Sequence, residues 1–211
     1  MQNPLDSLGI ARLGTIALAG VTAFALGCVA SQFLRPDLNW LRAPMSFYLL
    51  GDYGIWLRAA YVALAAALAA LGFGYYRALR HSSGNAVPLR LFVIAGTGLC
   101  VSTIAESDRS GLSWEGLIHG IAATIAFLCV AIAMLLQSWR MRTDIWWRAR
   151  FNTAFGLAVV CLVAMLMHVM WREGPRGLSQ KFVIGLIVLW LLLAAGWLRS
   201  AGEPGSEVRT R

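Results

Sequence analysis

Long apolar runs broken by short polar stretches set the pattern of this chain. The runs cover residues 13–33, 55–76, 91–104, 114–137, 151–171 and 182–198. Most approach the about 20 residues that a helix needs to cross a hydrocarbon core. Polar residues are too sparse within them to mark one face, so length, rather than periodicity, argues for helix over strand. The expected fold class is therefore all-α, a polytopic integral membrane bundle of six transmembrane helices. Residues 13–198 form the membrane domain, residues 1–12 a short N-terminus, and residues 199–211 a flexible tail. A cleaved leader is the rival reading of the first run, because Ala25-Leu26-Gly27-Cys28 is similar to a lipoprotein cleavage box. The run is too long for a leader's apolar region, and Asp6 spoils the basic stretch that should precede it.

The polar stretches have their own logic. Pro36 and Pro44 argue against continuous helix between the first two runs. Gly174-Pro175 marks a turn, and the whole stretch 172–181 reads as a loop. Ser113 is placed to cap the fourth helix, with Glu115 in its first turn where a carboxylate suits the helix dipole. Ala66, Ala70 and Gly74, four residues apart, predict a seam for a neighbouring helix. Gly116 and Gly120 predict another, more naturally internal than between chains.

Composition agrees: 59% of residues are hydrophobic and 13% charged. A soluble domain of 211 residues cannot hide that much apolar surface. The net charge of +8 would suggest nucleic acid in a soluble protein, but here the loops explain it. The termini and the loops after the second and fourth runs hold 11 of the 18 basic residues against four acids; the other segments hold seven against six. The positive-inside rule then puts both termini in the cytoplasm, in a multi-pass inner-membrane protein whose partner is the bilayer and not nucleic acid. Trp40, Trp56, Trp114 and Trp171 fall at the outer ends of the runs, and Trp139, Trp146, Trp147 and Trp197 at the inner ends, as an interfacial belt would. Trp190 falls mid-span and has no such reason. Cys28, Cys100, Cys129 and Cys161 all lie inside apolar runs and read as small core residues.

The chemistry-bearing residues gather on the outer side. Acids cluster only in Ala105–Ala122, where Glu106, Asp108 and Glu115 precede His119. His119 lies roughly 9 Å inside the fourth helix and His168 roughly 5 Å inside the fifth, at about 1.5 Å per residue. Glu115 and His119 share a helix face. Arg58, one turn into the second helix, should reach the interface or pair with Asp52, Glu106 or Asp108. Intramembrane ionisable groups are functional candidates by default, yet a histidine there can equally serve as glue between helices. Three functions stay open. One is an outward-facing polar pocket for a lipid headgroup or small ligand, drawing on Ser46, Asp52, Arg58, Glu106, Asp108, Glu115, His119 and His168. Another is a metal-dependent intramembrane hydrolase, with His119, His168 and Asp108 as zinc ligands and Ser46, Asp108 and His119 as catalytic candidates. The chain has neither HExxH nor HxxxH to support it. Haem between the two histidines is the weaker cofactor alternative. The third is a proton-coupled transporter, for which the inner halves of the helices offer few polar residues. A phosphate-binding GxxxxGK[ST] loop and a GxSxG elbow are both missing.

Ser46-Phe-Tyr-Leu-Leu-Gly-Asp-Tyr-Gly-Ile-Trp-Leu resembles the approach to the second helix in the prokaryotic membrane family catalogued as domain of unknown function 998. Ser107-Asp108 followed by Gly116-Leu-Ile-His119 resembles that family's acidic loop and helix start, with Ala105-Glu106 where Phe-Pro is usual. Gly177-Leu-Ser-Gln-Lys181 with Trp190 resembles its last helix. The resemblance implies six membrane helices and groups Ser46, Asp108 and His119, but supplies no reaction. Ser, Asp and His at outer helix ends also resemble the ceramidase-like zinc hydrolases, without their paired-histidine motif.

Overall fold

The computed structural model describes residues 4–79, 85–108, 113–171 and 173–202. Six helices account for most of them: α1 (Pro4–Leu34), α2 (Gly54–Ala78), α3 (Val87–Ile104), α4 (Trp114–Met141), α5 (Arg148–Met170) and α6 (Arg176–Ala201), with a 3-10 turn at Met45–Leu49. Each helix is long and apolar enough to cross a membrane, and no strand occurs among the described residues. The protein is an all-α, multi-pass membrane bundle. Backbone groups in lipid must be satisfied within the segment, which only helix achieves for single spans.

Every helix packs on its neighbours in the chain, and α6 packs on α1, so the six close into a ring. The α1–α2, α3–α4 and α5–α6 loops meet at one end, the first-loop end. There Arg58 reaches Glu106, and the Leu178 N–H reaches the Leu41 carbonyl. At the opposite, terminal end Gly202 lies against Ser7 and Ala11.

The helices outrun the apolar stretches. α1 starts at Pro4 and α6 at Arg176, so residues 176–181, expected as loop, are helical. The apolar run reports only the part in hydrocarbon, whereas the hydrogen-bond ladder continues until capped. The tail expected at 199–211 is helix as far as Ala201, and residues 203–211 lie outside the described residues. Between α1 and α2 the prolines do interrupt helix, leaving the short 3-10 turn.

Two seams differ in part from expectation. On α2, Ala70 is buried and Gly74 leaves no room for a Cβ beside Leu198 of α6, as expected. Ala66, however, is exposed, and the close approach to α1 uses Ala63 and Ala67: a Cβ at Gly20 would stand 2.5 Å from the Ala63 carbonyl oxygen and 2.9 Å from the Ala67 Cβ. On α4, Gly120 faces open space rather than another helix, while a Cβ at Gly116 would stand 2.7 Å from the Asp108 Cβ. That glycine pair thus makes no internal helix contact; Gly116 makes room for the loop before α4.

Trp190 explains itself once the ring is closed. It is 1% exposed, and its indole N–H donates to the Ala154 carbonyl at 2.9 Å and to Ser138 Oγ at 3.3 Å. One side chain of α6 therefore ties α4 and α5 at the centre of the bundle. The Tyr75 hydroxyl donates to the Ala194 carbonyl at 2.9 Å and ties α2 to α6. Of the tryptophans assigned to the interface, Trp147 is instead buried, its ring 5.0 Å from that of Tyr75. Trp40, Trp56, Trp114 and Trp171 are exposed, as a belt requires. All four cysteines are unpaired.

Candidate functional site

The acidic stretch before α4 is built to close its own loop. Asp108 Oδ2 accepts from the Ser113 N–H at 2.9 Å, and Ser113 Oγ accepts from the Gly116 N–H at 3.0 Å. Ser113 has the extended φ and ψ of an N-cap, as the sequence led one to expect. His119 is 7% exposed. Its Nδ1 lies 3.1 Å from the Ser102 carbonyl and 3.0 Å from the Ala105 carbonyl, both at the end of α3. Two carbonyls can only accept, so Nδ1 carries a proton and donates it to them. The imidazole thus caps the C-terminal end of α3, where carbonyls lack helical partners.

Arg58 bridges two loops. Its Nε donates to the Leu49 carbonyl at 3.1 Å, and its NH2 pairs with Glu106 Oε1 at 3.0 Å. Of the three acids weighed for it, Glu106 is the partner. With the Glu106 side chain 57% exposed, the pair sets geometry more than it adds stability. Asp52 and Glu115 are exposed and make no hydrogen bond or ion pair among the described residues. Glu115 shares a helix with His119 but stays at the surface while the imidazole is buried. His168 Nδ1 lies 2.7 Å from Ser179 Oγ and joins α5 to α6.

No hydrogen bond among the described residues joins Ser46, Asp108 and His119, and His119 and His168 have separate partners. Among the described residues no three His, Cys, Asp or Glu side chains gather to hold a metal. Zinc needs converging donors, and His119, His168 and Asp108 do not supply them, so no step through a metal is derived.

A different cluster lies where the first loop meets α6. The Met45 N–H donates to Gln180 Oε1 at 2.8 Å, and Lys181 Nζ donates to the carbonyls of Trp40 at 2.6 Å and Ala43 at 2.9 Å. Gly177 permits this contact, because a Cβ there would stand 2.5 Å from the Ala43 carbonyl oxygen. Lys181 Nζ also lies 5.1 Å from the centre of the Tyr48 ring. In a 3-10 turn residues three apart stack on one side, so Met45 and Tyr48 share its buried face. Against that face lies Gln32 of α1. Its amide N–H groups reach the Cys28 carbonyl at 3.2 Å, Ser31 Oγ at 3.3 Å and Met45 Sδ at 3.5 Å. Arg35 pairs through both ends of its guanidinium with Asp37 at 2.7 Å and donates to the Leu50 carbonyl. The bond to Asp37 raises the Arg35 pKa, so that cation is fixed. Burial, then the Asp37 charge, raises the Tyr48 pKa, so its hydroxyl keeps the proton.

Two atoms of this cluster are buried without a hydrogen-bond partner among the described residues: Tyr48 OH and Gln32 Oε1. Swapping the two ends of the Gln32 amide would set an oxygen against the Cys28 carbonyl, so the oxygen is the open end. Gln32 carried little signal in the sequence beyond being polar one turn before an apolar helix ends.

A family model described as a protein of unknown function, DUF998, matches residues 18–197. The chain belongs to that family. The DUF998 match runs from the middle of α1 to the last turn of α6 and so takes in part of every helix and all of this cluster. No curated protein and no solved structure matches the chain.

Proposed function

We propose that this DUF998 protein sits in the cytoplasmic membrane with its first-loop end outward, and that this end binds a lipid headgroup or small ligand. The pocket lies between the end of α1, the 3-10 turn and the start of α6. Ser46, in the same turn and without a side-chain hydrogen bond among the described residues, belongs to its rim. One observation carries the reading: the Tyr48 hydroxyl and Gln32 Oε1 are both buried and both unpartnered. Leaving such a group unmatched costs about 1–3 kcal/mol, and two in one cluster call for an outside partner. The hydrolase and carrier alternatives rest on no observation of this weight, since His119, His168 and Asp108 are engaged in holding loops and helix ends.

The test is Tyr48→Phe. With no protein partner to lose, the emptied protein should melt at the same temperature or slightly higher, because removing an orphan hydroxyl relieves a penalty of about 1 kcal/mol. Retention of co-purifying small molecules, read by native mass spectrometry, should fall. A lower melting temperature with unchanged retention would refute the pocket. Orientation is checked by single cysteines at Tyr53 and Thr143 labelled in intact cells with an impermeant maleimide: Tyr53 should react and Thr143 should not.

A further inference from the structure

We infer that the ligand of this pocket is a phosphate ester carrying its own hydroxyl or amine donor, with Lys181 as the charge that holds it; this rests on the pocket reading above. Lys181 differs from the other described cations at this end. Arg35 has Asp37, Arg58 has Glu106, and Arg42 and Arg176 are exposed to solvent, but the Lys181 ammonium is half-buried with no carboxylate within 4.0 Å among the described residues. It is held only by two backbone carbonyls and the face of a tyrosine ring. An ammonium has three N–H donors, and two are used. The third, with the Tyr48 hydroxyl, offers two donors beside one uncompensated positive charge. Burying a charge without a counter-charge is costly, and an anion with several acceptor oxygens answers both needs.

Gln32 Oε1 narrows the class. An amide oxygen only accepts, so the ligand must also present an O–H or N–H. A fully deprotonated anion such as sulfate fails this requirement, as does a phosphocholine group, whose quaternary nitrogen has no hydrogen. A phosphate bearing a glycerol hydroxyl or an ethanolamine ammonium meets it. That chemistry occurs both in lipid headgroups and in soluble phosphate monoesters.

The full chain is reconstituted in nanodiscs of phosphatidylglycerol, phosphatidylethanolamine and phosphatidylcholine in equal parts, and retained lipid is weighed by native mass spectrometry. Phosphatidylglycerol and phosphatidylethanolamine should be retained over phosphatidylcholine. Lys181→Gln, which can still donate to backbone carbonyls, should lower that retention by about tenfold. Gln32→Leu should erase the preference over phosphatidylcholine while leaving some retention. In a parallel arm, a thermal shift of delipidated wild type with glycerol 3-phosphate, without lipid selection, assigns the same chemistry to a soluble source. Equal retention of all three lipids without a glycerol 3-phosphate shift, or retention indifferent to Lys181→Gln, overturns the ligand class. Capture of only a phosphate-free molecule, lost in Tyr48→Phe, overturns the class and keeps the pocket. No retention and no shift in any arm overturns both. Should Lys181→Gln fail to fold, the comparison of the three lipids on wild type decides alone.

Discussion

Replacing Trp190 by alanine is expected to lower the thermal unfolding midpoint of the detergent-purified protein more than any other single substitution considered. A buried tryptophan cut to alanine costs about 3–5 kcal/mol through lost contacts and the void left behind. Trp190 is almost fully enclosed, packs beside Phe92 at 6.2 Å between ring centres, and bonds to both α4 and α5. Trp190→Phe separates the terms. It keeps most of the ring and loses the N–H, so it should cost about 1 kcal/mol for the hydrogen bond plus a smaller packing loss. The order wild type, Trp190→Phe, Trp190→Ala is the expected result. An alanine variant that melts with wild type would mean that the centre of the ring is not packed as described.

His119 gives the second large effect, and the choice of substitute decides its meaning. His119→Leu removes the donor that serves the Ser102 and Ala105 carbonyls and leaves them at a buried helix end. Unmet backbone acceptors cost about 1–3 kcal/mol each; the two share one N–H and the Ala105 carbonyl is only part-buried, so a loss of about 2–4 kcal/mol is expected. His119→Gln retains an N–H at similar reach and should recover more than half of it. Wild-type stability in His119→Leu would show that the imidazole does not cap α3. A stable His119→Gln protein that has lost ligand would instead return His119 to the site.

The contrast between these two residues indicates what a sequence of this kind reveals. Apolar length alone placed all six helices, because hydrocarbon thickness leaves few alternatives. Ser113 was legible because capping is local. Trp190 was visible as an exception to the interfacial belt, but its partners on α4 and α5 depend on ring closure. Helix rotation was illegible for a physical reason: where every face is apolar, no stripe says which side looks inward. Hence Ala66 was placed in the α2 seam beside Ala70 and Gly74, which do lie there, Gly120 was placed inside, and Trp147 was read as an interface residue. The same blindness hid the cluster. Asp108 drew attention as an acid of the loop before α4 and His119 as an intramembrane ionisable group, and both hold backbone in place. Gln32, Tyr48 and Lys181 meet only because α6 begins early, at Arg176, and Gly177 lets the first loop lie against it.

The closed ring has a consequence for how the protein is made. Its first helix needs its last: α1 packs on α6, and the first loop is fastened by Leu178, Gln180 and Lys181. These residues leave the ribosome after five spans have already been synthesised. Until then α1 and α2 wait in the bilayer with one flank open and the loop between them untied. A nascent chain halted before Arg176 displays that open flank to whatever surveys unfinished membrane proteins, so the arrival of α6 is itself the event that hides it.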